Sequence, residues 1–179
     1  MNILIRARGF YSRLGFLICF FASICLPGIV FADGWNAAPA VVYVLRHAEK
    51  AGITNNSELS EGGHLRAQAL VDVLGQEKIS AIYSTQLIRA KQTVEPLAAQ
   101  QHLAISVLND KDYTGLCNAM KREHQGGTLV VVGHSYTIPK IFRCLTGKSE
   151  DIHAKYGQLF AFTFDSGSAA VEVSHFGRQ

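Results

Sequence analysis

Three short stretches place polar side chains of chemical capability directly behind apolar runs. The first is VVYVLRHAEK (41–50), which ends in Arg46 and His47. The second, IYSTQLIRAKQT (82–93), ends its apolar part at Ser84 and Thr85 and sets Arg89 about one helical turn further on. The third, VVVGHS (130–135), ends in Gly133, His134 and Ser135. If the three runs are neighbouring parallel strands, two histidines and two arginines meet at their carboxyl ends, where parallel sheets present ligand sites. Crowded cations cost free energy unless an anion joins them, and a phosphoryl group suits arginine forks in bidentate geometry.

The elements that must position these residues are legible in the same pattern. Val41–Leu45 and Leu129–Val132 are apolar throughout, as strands buried on both faces are. Ile79–Tyr83 reads as another strand, and Ala104–Leu108 as a weaker one. Ser60 can cap a helix running to about Gln76, with Ala67, Leu70, Val71 and Leu74 at helical spacing. A second helix is expected over residues 86–101, with Leu87, Ala90, Val94, Leu97 and Ala98 on one face and a kink or early end at Pro96. A short helix over 114–124 and a turn at Gly126-Gly127 precede the third motif. A helix from about Tyr136 to Leu145 follows, with Pro139 in its first turn. Phe160–Phe164 and Ala170–Val173 read as a closing hairpin. Strands alternating with helices predict a three-layer α/β/α sandwich with a mainly parallel central sheet.

The motifs LRHAEK, YSTQLIRAKQT and VVVGHS resemble those of the histidine phosphatase superfamily, the phosphoglycerate mutase-like proteins. LSEGGHLRAQAL (59–70) is similar to the family's first helix, with Gly63 and Ala67 at the expected places. The likeness covers most of residues 41–146. The family's usual RHG is here RHA, and Ser135 stands where a glycine is usual. The resemblance implies that His47 is the nucleophile, forming a phosphohistidine, and that Arg46, Arg89 and His134 hold the phosphoryl oxygens, with Ser135 beside them. It further implies that Asp110 donates the proton to the leaving oxygen, with Asp112 and Glu49 as alternatives. Such a site works without metal or other cofactor, because guanidinium groups take the place of Mg²⁺. The implied activity is hydrolysis of a small-molecule phosphomonoester. Mutases of the family carry long insertions for which this chain has no room. A phosphate-binding module without turnover, or a phosphohistidine protein phosphatase in the cytoplasm, are the alternatives.

The first 32 residues have a different character. Arg6, Arg8 and Arg13 precede the uncharged run Leu14–Leu26, Pro27 and Gly28 follow, and Val30-Phe31-Ala32 offers small residues for cleavage. This is the layout of a secretory signal peptide cut after Ala32, and the apolar run is shorter than the about 20 residues of a membrane span. An uncleaved anchor is the alternative. Residues 33–40 form a polar lead-in, and residues 41–179 the domain. The expected compartment is periplasmic or secreted, where envelope phosphosugars such as lipopolysaccharide heptose phosphates, or scavenged phosphate esters, become candidate substrates.

The chain carries 17 Lys+Arg against 14 Asp+Glu, a net of +3. The three arginines of the leader account for that excess, so the mature chain is neutral and gives no support for nucleic-acid binding. Cys117 and Cys144 remain after cleavage, and an oxidising compartment permits a bridge between them, although two free thiols fit the sequence equally. His47, Glu49 and His134 are a conceivable zinc set, but nearby arginines would repel the cation. Thr54, Asn55 and Asn56 read as a solvated loop, with lining of the site's mouth as the alternative. His64, His102, His124, His153 and His175 read as surface residues. The oligomeric state is left open.

Overall fold

The computed structural model describes residues 40–123, 126–165 and 168–178. The expected leader, lead-in, Trp35 and His124 therefore lie outside the described residues. The elements run β1 (Ala40–Arg46), α1 (Glu61–Leu74), β2 (Ile79–Thr85), α2 (Ile88–Gln101), β3 (Ile105–Leu108), α3 (Tyr113–Glu123), β4 (Thr128–Gly133), α4 (Ile138–Thr146), β5 (Gln158–Asp165) and β6 (Ser168–His175). They form one sheet of six strands in the order β3-β2-β4-β1-β5-β6. Strands β3, β2, β4 and β1 are parallel, while β5 runs antiparallel to both β1 and β6.

The apolar runs are apolar because both sides of the sheet are covered. Leu129 and Val131 of β4 pack with Met120 of α3 and with Ile141 and Phe142 of α4. Their neighbours Val130 and Val132 point the other way, into a cluster with Leu70 and Leu74 of α1 and Val94 and Leu97 of α2. The α/β/α sandwich is therefore present, and α3 and α4 are joined by a disulfide between Cys117 and Cys144.

Ser60 caps α1 as its side-chain oxygen accepts from Gly63 N at 3.1 Å. Pro96 does not end α2, which continues to Gln101. Fully buried Val94 and Leu97 on either side of the proline hold the helix against the core, and that burial outweighs the missing backbone bond. Strand β3 is short and half-exposed at the sheet edge, as its weak sequence pattern suggested.

At Gly63 the helix makes a close approach to the first motif. A Cβ there would stand 2.2 Å from the carbonyl oxygen of Glu49, and that oxygen already accepts from Ser60 N at 2.8 Å. Gly63→Ala is expected to cost about 1–3 kcal/mol of stability through overpacking. Urea unfolding of the two proteins measures it, and an unchanged midpoint would mean that the backbone yields freely.

Candidate active site

Strand order is what assembles the three motifs. β4 lies between β1 and β2, so all three carboxyl ends are adjacent. Arg46 is level with Gly133, and Ser84 with Val132. His47 N donates to Gly133 O at 3.0 Å, which fixes the nucleophile candidate just beyond the sheet.

His47 is buried, and its Nδ1 lies 2.7 Å from the Ala48 carbonyl oxygen. A carbonyl only accepts, so Nδ1 carries the proton and Nε2 presents its lone pair. Arg89, in the first turn of α2, donates from Nε to that lone pair at 2.9 Å. Its Nη1 donates to the backbone carbonyl of Asn55, and its Nη2 to His134 Nδ1 at 3.3 Å. His134 is 1 % exposed, and its Nε2 lies 2.8 Å from Thr85 Oγ1. The two histidine rings are 5.1 Å apart. Arg46 lies with its guanidinium carbon 4.0 Å from the centre of the Tyr156 ring. It donates to Ala154 O and to the Tyr156 hydroxyl, and its buried Nε has no hydrogen-bond partner.

The RAKQT stretch proves to be a latch between motifs. Thr93 Oγ1 donates to Arg89 O at 2.7 Å and accepts from Ala48 N at 2.9 Å, entirely out of solvent. Gln92 Oε1 accepts from Leu59 N. Ala48 packs with Leu59 and Ala67 in a small buried cluster, so the site accommodates the methyl group that replaces the usual glycine. Gly133 has a comparable reason to lack a side chain. A Cβ there would stand 2.7 Å from Thr137 Oγ1, the atom that accepts from His134 N.

The proton-donor candidates separate clearly. Glu49 is bound by Arg66, which donates from Nε to both carboxylate oxygens and from Nη2 at 2.7 Å. That pairing holds its carboxyl below the usual range and occupies both oxygens, so the conceivable zinc set is not assembled either. Asp112 accepts from Gly115 N and caps the start of α3. Asp110 instead lines a cavity of about 640 Å³ with Asn55, Gln86, Arg89 and Tyr136. It accepts from Gln86 Nε2 at 2.7 Å and from the Tyr136 hydroxyl at 2.5 Å. Those bonds hold its carboxyl below the ordinary value, and Tyr136 is pushed up to about 12 by burial and by Asp110. Asp110 is thus a carboxylate in the free site and must gain a proton before it can donate one.

Several participants carried no sequence signal. Tyr136 stacks on the His134 ring, with centroids 5.1 Å apart, and Tyr156 follows a segment without periodicity. Asn55 and Asn56 are exposed but tie the loop to α2. Asn55 O receives Arg89, and Asn56 Oδ1 accepts from Ile88 N, supplying the cap that Leu87 cannot. Ser135 is exposed in the turn before α4, and His64, His102, His153 and His175 are exposed as expected.

A family model decides what this arrangement resembles. Residues 42–112 match the histidine phosphatase superfamily, branch 1. The histidine phosphatase match takes in Arg46, His47, Arg89 and Asp110, while His134 lies beyond its end. No curated relative matches the sequence. Among solved structures, the protein histidine phosphatase SixA complexed with tungstate is 17 % identical, with a TM-score of 0.65 over 75 % of this chain and 96 % of that one. The mycobacterial glucosyl-3-phosphoglycerate phosphatase Rv2419c complexed with inorganic phosphate is 16 % identical, with a TM-score of 0.63 over 75 % and 95 %. A phosphoserine phosphatase from Entamoeba histolytica, in complex with 3-phosphoglyceric acid, is 15 % identical, with a TM-score of 0.62 over 78 % and 98 %. These neighbours establish the phosphoglycerate mutase-like fold.

In this phosphoglycerate mutase-like fold both candidate-site histidines are neutral at physiological pH. Burial, reinforced by Arg89, His134 and Arg46, lowers His47 from 6.5 to about 3, against the opposing pull of the Ala48 carbonyl. Burial and Arg89 lower His134 to about 4. An unfolded chain takes up these protons near pH 6.5 while the folded one does not, so the stability is complete above 6.5 and lost as pH falls towards 4. The Tm is therefore expected to fall between pH 7 and pH 5. The fall should be smaller in His134→Asn, and an equal slope in both proteins would assign it to other groups.

Proposed function

We propose that this domain is a metal-independent phosphatase that hydrolyses a small-molecule phosphomonoester through a phosphohistidine on His47. One observation carries the reading: a neutral His47, held by Ala48 O, turns its Nε2 lone pair to Arg89, which also bonds His134 and lines the cavity it shares with Asp110. The unpartnered Nε of Arg46 supports it, because a buried donor without an acceptor is costly and an incoming phosphoryl oxygen would satisfy it.

Nε2 attacks phosphorus, a P–N bond forms, and the P–O ester bond breaks. The guanidinium groups stabilise the charge on the equatorial oxygens. Asp110 can take the proton that a monoester monoanion brings with it and hand that proton to the leaving alkoxide. Water then attacks phosphorus, the P–N bond breaks, and Asp110 receives the water's proton. Asp110→Asn is expected to slow alkyl phosphates roughly 100-fold or more while slowing activated aryl phosphates little, since only poor leaving groups need the proton. Equal small effects on both would move the acid elsewhere.

Turnover of an aryl phosphate, blocked by vanadate and insensitive to EDTA, tests the activity as a whole. A second reading, a phosphate-binding module, is favoured by the Arg89 bond that covers the Nε2 lone pair and by the ionised Asp110. Phosphate binding without turnover at any pH would select it.

We further propose export to the periplasm or medium with cleavage after Ala32. The basic, apolar and small-residue pattern of the leader supports this, as does the Cys117–Cys144 disulfide, since such bonds persist in oxidising compartments. Envelope phosphosugars are then the substrates within reach. Mature protein beginning at Asp33 in an extracytoplasmic fraction is the expected finding, and an intact Met1 start there would mean an anchor. Cytoplasmic protein would instead favour a phosphohistidine protein phosphatase.

A further inference from the structure

His134 is almost wholly out of solvent, and each of its ring nitrogens has one neighbour. Nδ1 faces Arg89 Nη2 at 3.3 Å and Nε2 faces Thr85 Oγ1 at 2.8 Å. A guanidinium cannot accept, so Nδ1 must accept and the ring proton must sit on Nε2, pointing at Thr85. That is the wrong tautomer for holding an anion, because the nitrogen on the Arg89 side then offers a lone pair.

We infer that Thr85 is a positioning residue that lets His134 change from acceptor to donor at Nδ1 when a phosphoryl group enters. The inference rests on the phosphatase reading of the same site. A hydroxyl is the one neutral side-chain group here that both donates and accepts. In the free site Thr85 accepts from Nε2–H. Once Arg89 turns to phosphoryl oxygens, Thr85 O–H can rotate and donate to Nε2, and the ring then carries its proton on Nδ1, aimed at the anion. If His134 instead gains a proton from the entering monoanion, Thr85 again accepts from Nε2–H while Nδ1–H serves the phosphoryl oxygen. Either way the ring stays in place and no buried nitrogen loses its partner. Thr137 has a separate duty: its hydroxyl accepts from His134 N, which fixes the backbone and leaves the ring proton free.

Imidazole proton–nitrogen correlation spectra of the full chain test this, with inorganic phosphate as the probe. The free protein should show His134 protonated at Nε2, and phosphate should bring a proton to Nδ1. In Thr85→Val the free ring should keep the Nε2 proton that Arg89 imposes, but phosphate should no longer bring a single proton cleanly to Nδ1. The same spectra from Thr85→Val and wild type, with and without phosphate, would overturn the inference. So would a free wild-type protein already protonated at Nδ1, a measurement that stands even if the valine variant does not fold. In turnover, Thr85→Val should lose roughly 10- to 100-fold in kcat with little change in KM, as when an orienting partner is removed. Thr85→Ser should recover most of it, and a valine variant as fast as wild type would again overturn the inference. If the wild type binds phosphate but turns nothing over, the phosphatase reading fails and the spectra alone decide on Thr85.

Discussion

His47→Ala is expected to abolish turnover, with kcat reduced by roughly 10⁴-fold or more, because among the described residues no other group at the site is placed to take the phosphoryl. Loss of a buried ring leaves a cavity, so the variant's Tm must be measured alongside its rate. Two further readings separate a lost nucleophile from a damaged fold. A rapidly quenched reaction of the wild type should contain an acid-labile, alkali-stable phosphoprotein, and the variant should contain none. The variant should still bind phosphate, since Arg89, Arg46 and His134 remain. Turnover within about tenfold of wild type would remove His47 from the role, because loss of a nucleophile costs far more.

Arg89→Lys is the second large effect, and it measures shape as well as charge. The guanidinium reaches His47, Asn55 O and His134 together, in three directions from one plane. An ammonium is a point charge on a flexible stem and cannot reproduce that fork. The expected loss in kcat/KM is roughly 1,000-fold, at the lower end of what arginine contributes to phosphoryl transfer. The substitution also removes the tie to Asn55, so the loop at 51–58 should exchange its amide hydrogens faster. A lysine variant within about tenfold of wild type would show that charge alone suffices and would weaken the transition-state argument.

The fold was legible because its core strands have no compromise to make. β1 and β4 are covered on both faces, so Val42–Leu45 and Leu129–Val132 could not be anything but apolar. The principal site residues were legible for a related reason: Arg46, His47 and His134 interrupt or end such runs, where a polar residue is conspicuous. What escaped was local geometry. Nothing in AGITNNSE distinguishes Asn56, which caps α2 through space, from the solvated asparagines of any loop. Tyr156 follows β4 and α4 by a stretch without period, so its place beside Arg46 depends on where β5 returns. Glu49 was only two residues from His47 and still faces Arg66, because successive residues beyond a strand diverge. The resting protonation of Asp110 follows from two neighbours, Gln86 and Tyr136, that the chain brings from other elements.

The middle strand of the binding region, β4, is fourth in the chain, after a stretch that already contains His47 and Arg89. Until residue 133 has been made, β1 has no parallel neighbour on one side and the pair β2–β3 has no sheet to join. Late insertion of a parallel strand between earlier ones is a long-range event and slow by nature. A nascent chain therefore keeps its candidate site open-ended until most of the polypeptide has been synthesised.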